Sequence, residues 1–175
     1  MTSEPPAPAA TPTDIQMMLR ALELARAAAA LGEIPVGAVV YETASGGGRV
    51  LGEGHNLRHS QKDPTLHAEL IAIRAAAAGP GGVGDWRLNH CTLVVTLEPC
   101  CMCAGLIVNA RLGRLVYGCP DPKAGACGSL YNLTTDPRLN HRVQPVSGVL
   151  AEESATLLRE FFQKTRARDS SEPQP

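Results

Sequence analysis

The chain has 175 residues, a formal net charge of −1, 44% hydrophobic and only 3% aromatic residues. That length suits one domain burying roughly 70% of its unfolded surface, which needs no disulfide staples, and the scarcity of aromatics leaves the core to Ala, Val, Leu and Ile. The near-neutral balance excludes a global attraction to nucleic acid, and no apolar run approaches the length of a membrane span.

Residues 1–13 are rich in Pro, Ala and Thr and read as a disordered tail, as do residues 169–175, which leaves a single domain over 14–168. Asp14 is expected to cap a first helix from Ile15 to Leu31, where Ile15, Met18, Leu19 and Leu22 recur at helical spacing and Gly32 ends the run. Val36–Tyr41 and Arg49–Gly54 read as a β-hairpin whose tip, Ser45-Gly46-Gly47-Gly48, needs positive φ. Those glycines are not a phosphate cradle, since no Lys-Ser/Thr follows and no helix opens there. Asp63-Pro64-Thr65 opens a second helix that runs to Ala78 and carries His67 in its first turn. After Gly79–Gly84, Trp86 either caps the core edge or stacks on a base.

Leu88–Leu97 is the expected central strand and Glu98–Ala110 the next helix, with Pro99 at its first position, where a missing N–H costs nothing. Leu115–Gly118 is the following strand, and the strand, helix, strand order implies parallel neighbours joined by a right-handed crossover. Asp121–Leu130 then forms a loop beyond a strand end, where α/β proteins commonly bind ligands. Val143–Leu150 reads as a short last strand and Ala151–Lys164 as an amphipathic helix with Ala155, Leu158, Phe161 and Phe162 on its apolar side, the Phe pair as core packing.

Chemistry concentrates in two stretches, His67-Ala68-Glu69 and Pro99-Cys100-Cys101-Met102-Cys103. Cys100 and Cys103 are three apart at a helix start, so both sulfurs project to one side, where the positive helix end favours thiolates. With the His67 imidazole they make three ligands for a tetrahedral cation and leave the fourth position to water, the arrangement of catalytic rather than structural sites. Glu69 supplies a carboxylate for that water's protons. A regular helix sets His67 and Glu69 about 200° apart, so Glu69 reaches the site from beside the ion rather than as a ligand. Cys101 points about 100° away from Cys100. Cys119 and Cys127 read as small buried or loop thiols, and Cys91 also lies outside the ligand set. The clustering of cysteines and an N-terminus without signal-peptide character point to a reducing cytoplasm.

Charge is uneven along the chain. Residues 109–142 hold Arg111, Arg114, Lys123, Arg138 and Arg142 against Asp121 and Asp136, and Lys164, Arg166 and Arg168 follow near the end. These clusters are either phosphate contacts or a solvated charged face.

The pattern His-x-Glu followed by Pro-Cys-x-x-Cys is the signature of zinc-dependent nucleobase deaminases. Further runs, Ile34-Pro35-Val36-Gly37-Ala38-Val39, Gly54-His55-Asn56, Asp121 to Leu130 and Asn140-His141-Arg142-Val143, make the chain resemble the bacterial tRNA-specific adenosine deaminases from about Ile15 to about Lys164. The resemblance implies a three-layer α/β/α fold with a mixed sheet of about five strands, as in cytidine deaminase-like folds. It also implies one Zn2+ per subunit on His67, Cys100 and Cys103, with Glu69 as the catalytic proton carrier. Substrate contacts are implied at Asn56, Ala68, Asp121 and Lys123, with a tRNA anticodon loop as partner and a homodimer as assembly. The implied reaction is hydrolysis of the wobble adenosine to inosine. By its residues alone, Asn56 reads as a turn residue after Gly54-His55. Three rivals are a deaminase of free bases or nucleosides, a non-catalytic zinc-stabilised RNA-binding scaffold, and a thiol redox enzyme. The scaffold leaves Glu69 without a use, and the redox reading leaves both His67 and Glu69 unexplained.

Overall fold

A computed structural model describes residues 9–43 and 48–169. Helix α1 spans Pro12–Ala30, strands β1 and β2 span Gly37–Glu42 and Val50–His55, and a single helical turn, α2, covers Arg58–Gln61. Helix α3 (Ala68–Ala78), β3 (Cys91–Leu97), α4 (Cys101–Asn109), β4 (Arg114–Cys119), β5 (Pro145–Val146) and α5 (Ala151–Asp169) complete the order. The sheet has five strands in the order β2-β1-β3-β4-β5. β1 runs antiparallel to both β2 and β3, whereas β3, β4 and β5 are mutually parallel, so the sheet is mixed as expected.

Alternation along the strands assigns the two faces. Ala38 and Val40 of β1, Leu93 and Val95 of β3, and Leu115 of β4 pack with Ala72 and Ile73 of α3 and Ala104 and Ile107 of α4. Their neighbours Val39, Tyr41, Val94 and Val116 face the other way, onto Met17, Met18 and Ala21 of α1. Side chains that alternate with period two feed both layers from one strand, and each fully buried Val or Leu contributes about 1.5–3 kcal/mol. The three-layer arrangement follows. Small residues set the spacing on the α3 side: a Cβ on Gly52 would sit 2.2 Å from the Ala72 carbonyl oxygen, closer than van der Waals contact allows.

Several helix boundaries differ from expectation. Thr11, not Asp14, is the N-cap of α1, with Pro12 at its first position. Asp14 N–H donates to Thr11 Oγ1 at 3.1 Å while the Asp14 carboxylate accepts the Thr11 N–H at 2.6 Å, a reciprocal capping pair. Asp14 is fully buried and also accepts from Tyr41 Oη at 2.7 Å and from Arg114. Burial works against its charge, but the Arg114 guanidinium and the hydrogen bonds of Thr11 and Tyr41 outweigh it and hold the carboxyl below its ordinary pKa. Helix α1 therefore begins inside the stretch read as a tail, of which residues 1–8 lie outside the described residues. At the other end α5 continues through Asp169, and residues 170–175 lie outside the description. The hairpin tip is described only at Gly48, where φ is +68° as the turn requires. The last strand contracts to two residues, and α3 starts five residues after Asp63, with α2 inserted before it.

Charge also redistributes on folding. Arg114 belongs to the buried Asp14 network, Arg138 pairs with Asp136 two residues away, and Arg111 donates to the Asn140 carbonyl at 2.9 Å. Three of the five cations over 109–142 are thus engaged in contacts within the fold. Trp86 is exposed with the Arg87 guanidinium 4.2 Å above its ring, so it does not cap the core. Among the described residues no helix is long and apolar enough to cross a membrane.

Candidate active site

The two helices that carry the chemistry both start at the site. His67 is the N-cap of α3 and Cys100 the N-cap of α4, each in extended conformation and neither using its side chain to cap its own helix. This shifts both residues outward from the expected first turns: Pro99 precedes the cap, and Cys103 is the third residue of α4. The liberated side chains meet between the helix ends, where the unpaired N–H groups favour anionic sulfur.

Cys103 Sγ lies 3.6 Å and Cys100 Sγ 3.8 Å from His67 Nδ1, and the three ligand atoms are all within 4.8 Å of one another. Ordinary zinc bond lengths at a tetrahedral angle would separate sulfur and nitrogen by roughly 3.6 Å. The donor set and its spacing therefore fit a zinc-sized cation without rearrangement. The cysteines hydrogen-bond to each other, and that contact with Cys103 draws the Cys100 thiol down to about 3, while the same contact and burial push Cys103 up. A hydrogen bond with Cys100 raises the His67 imidazole above its usual value. All six cysteines are free thiols; Cys91, Cys119 and Cys127 are buried and Cys101 is exposed.

Glu69 is the second residue of α3 and only 4% exposed. Burial raises its pKa, so this carboxyl holds a proton more readily than a surface glutamate. A cavity of about 170 Å³ opens over it, lined by His67, Glu69 and Cys100 together with Ile34, Asn56, Arg58 and Asp121. Asn56 Nδ2 donates to the Ile34 carbonyl and Asn56 Oδ1 accepts the Ala68 N–H, both at 3.0 Å. One Nδ2 hydrogen and one Oδ1 lone pair remain for a ligand. Ala68 is fully buried with its N–H spent on Asn56, so it borders the site through that bond rather than by an open donor.

Asp121 lies at the junction of this cavity with a larger groove of about 750 Å³ that runs between the 119–123 segment and α5. Lys123 lines the groove, not the cavity, and faces Leu158, Phe162 and Arg166 across it. Phe162, expected in the core, is 41% exposed there and packs edge-to-face on Phe161 at 5.5 Å. The period of α5 identified an apolar side but not what it faces.

Glu98 was legible only as part of the cysteine motif, yet it organises the loop. It is 2% exposed, and its carboxylate accepts from the N–H groups of Asp121 (3.0 Å), Cys127 (2.9 Å) and Ser129 (3.0 Å) and from the Ser129 hydroxyl. Burial opposes its charge, but the Ser129, Asp121 and Cys127 donors overcome this and hold the carboxyl below its ordinary pKa. A Cβ on Gly125 would come within 2.4 Å of that carboxylate, so the loop can close over it only with glycine here. An acid directly before a Pro-Cys pair was the signal available in the sequence.

The strand order and the pairing of two helix starts across a buried carboxyl place the protein in the class of cytidine deaminase-like deaminases. A family model described as MafB19-like deaminase matches residues 13–166. The tRNA-specific adenosine deaminase of Haemophilus influenzae is 51% identical over 153 residues, covering 87% of this chain and 85% of that protein. A solved chain from a study of A-to-I editing by tRNA:A34 deaminases at the wobble position of transfer RNA matches with TM-score 0.75 at 40% identity, covering 82% of this chain and 99% of that one. A guanine deaminase from Nitrosomonas europaea matches with TM-score 0.71 at 25% identity, covering 91% and 88%. The chain belongs to the family of tRNA-specific adenosine deaminases.

Proposed function

We propose that this protein hydrolyses the wobble adenosine of a tRNA anticodon to inosine, using one zinc ion held by His67, Cys100 and Cys103. The observation that carries the reading is a buried carboxyl of raised pKa, Glu69, beside a His/Cys/Cys cluster of tetrahedral spacing in one cavity. Zinc bound there would lower the pKa of a water toward neutrality and polarise it. Glu69 accepts a proton as that water adds to C6 of adenine, delivers it to N1 as ring aromaticity is lost, then takes the remaining proton from the new C6 hydroxyl and passes it to the departing amine, which leaves as ammonia. Asn56 holds the base or its sugar with its remaining donor and acceptor, and Ala68 acts through the bond that fixes Asn56. An anticodon loop suits so small a cavity because its unpaired nucleotides enter without the full cost of opening a duplex.

Asp121 and Lys123 belong to the same reading as contacts to nucleotides beside the target, with the exposed face of Phe162 as a stacking platform in the groove. Phe162→Ala is expected to raise KM for tRNA about fivefold or more, and Lys123→Ala to raise it and weaken its salt dependence, in steady-state assays. Unchanged KM in both variants would remove the groove from the substrate path. A homodimer in the cytoplasm completes the proposal; Met102 at the start of α4 and Leu130 and Tyr131 of the following loop are exposed and would be covered by a partner.

Zinc affinity is expected to fall as pH falls. The cation needs the neutral ring and the thiolates, and the Cys100 contact keeps the His67 proton bound to a higher pH than usual, so zinc must displace that proton. Competition with a chelator at pH 6, 7 and 8 checks this; equal affinity at all three would contradict it. The function itself is tested by measuring inosine in tRNA incubated with the zinc-loaded protein, beside ammonia release from guanine, cytosine and cytidine. Deamination of a free base with none of tRNA would replace the proposed substrate.

A further inference from the structure

Glu33 is a carboxylate with 1% exposure in the connection between α1 and β1, away from the ligand cluster. Its Oε1 accepts from the Ser60 N–H at 2.8 Å and from Ser60 Oγ at 3.0 Å. Taking a carboxylate out of water is costly, so the two bonds must serve something the fold needs held. What they hold is α2, the single turn over Arg58–Gln61, which is too short to persist without outside anchors. The turn is gripped at its start as well, since Leu57 N–H donates to the Leu66 carbonyl at 3.1 Å.

Arg58 is the residue of that turn which reaches the catalytic cavity, and it is the one Arg or Lys among the residues that line it. It is exposed on the rim, with Glu69, Glu98 and Asp121 in the same lining. The next residue after Glu33 serves the same rim: the Ile34 carbonyl holds Asn56 Nδ2 at 3.0 Å, and Val36 O accepts the Asn56 N–H at 3.2 Å. One short segment, 33–36, therefore sets both Asn56, beside the base, and Arg58, at the rim where a nucleotide's backbone must leave the cavity. A guanidinium is the side chain suited to grip a phosphate there by paired hydrogen bonds.

We propose that Arg58 binds a phosphodiester adjoining the nucleotide seated in the cavity, and that Glu33 is its positioning residue through Ser60. This rests on the RNA-substrate reading above. It adds a cationic contact on the α2 side, in a part of the rim that the groove of Lys123 and Phe162 does not include.

The test is binding of an anticodon stem-loop RNA to the zinc-loaded protein across a range of salt concentrations. Arg58→Gln is expected to weaken binding about tenfold at low salt and to flatten the slope of log affinity against log salt by about 0.7, the loss of one single-strand phosphate contact. Arg58→Lys restores the slope but only part of the affinity, because charge returns without the paired geometry. Glu33→Ala reproduces the flattened slope, and Glu33→Gln, which keeps an acceptor for Ser60, recovers it. A purely structural Glu33 would change the melting temperature and leave the slope alone. An Arg58→Gln slope equal to that of the wild type overturns the proposal, even if Glu33→Ala proves too unstable to measure. Wild-type protein that binds the RNA with a slope lost in Arg58→Gln but forms no inosine would uphold this contact while refuting the proposed reaction.

Discussion

Glu69→Gln is expected to lower inosine formation about 10²- to 10⁴-fold while the protein still binds one equivalent of zinc. Gln matches Glu in shape, so the packing of a side chain only 4% exposed at the start of α3 is retained. What it loses is the titrating proton. Burial raises the pKa of Glu69, so the carboxyl holds a proton more readily than a surface glutamate, and the proposed role asks it to take a proton from water and return it to the base. The amide can do neither. Metal analysis beside inosine detection separates the effects: zinc retained with activity lost supports Glu69 as the proton carrier, whereas activity within about tenfold of wild type would assign that role elsewhere.

The second large effect is expected at Glu98, on stability. Glu98→Ala strands three backbone N–H groups, of Asp121, Cys127 and Ser129, that now end on one carboxylate. Each buried donor left without a partner costs about 1–3 kcal/mol, so with some recovery from entering water the loss is roughly 3–5 kcal/mol. For a domain of this size that lowers the melting temperature by roughly 10 °C. The pH dependence has a definite sign. The folded pKa of Glu98 lies below its unfolded value of about 4.3, so its contribution is fully present above that value and is lost as pH falls through the lower folded one. Glu98→Gln, which cannot titrate, should be less stable than wild type at pH 7 and converge with it as the medium is acidified below about pH 4. A melting temperature for Glu98→Ala within 2 °C of wild type, on the order of 1 kcal/mol or less, would show that the loop is held by other contacts.

The two buried glutamates shift in opposite directions. Glu69 is held above its ordinary pKa, the direction the proposed proton carrier needs, and Glu98 below its own, as an acceptor for the loop that carries Asp121 and Lys123. Burial raises both, but at Glu98 four converging donors outweigh it, whereas at Glu69 burial prevails. Neither pKa direction could be read from the local sequence.

The candidate residues were legible in the chain. His67, Glu69, Cys100 and Cys103 stood out because metal ligation and proton transfer demand particular residue types at particular spacings, and the fold brings His67, Cys100 and Cys103 together. The layers were implied by the family resemblance, and the strand, helix, strand order already indicated parallel neighbours on a sheet covered by helices. Tertiary structure decided everything that depends on partners distant in the chain. His67 and Cys100 sit at helix caps rather than in first turns because the site draws their side chains away from their own helices, and nothing local distinguishes the two positions. Arg114 went to Asp14 across 100 residues instead of to a surface, Phe162 to a groove instead of the core, and the Ala68 N–H to Asn56. Residue type determines what a side chain can do; only the packed fold, by bringing donors and acceptors together and excluding water, determines which of those capacities is used.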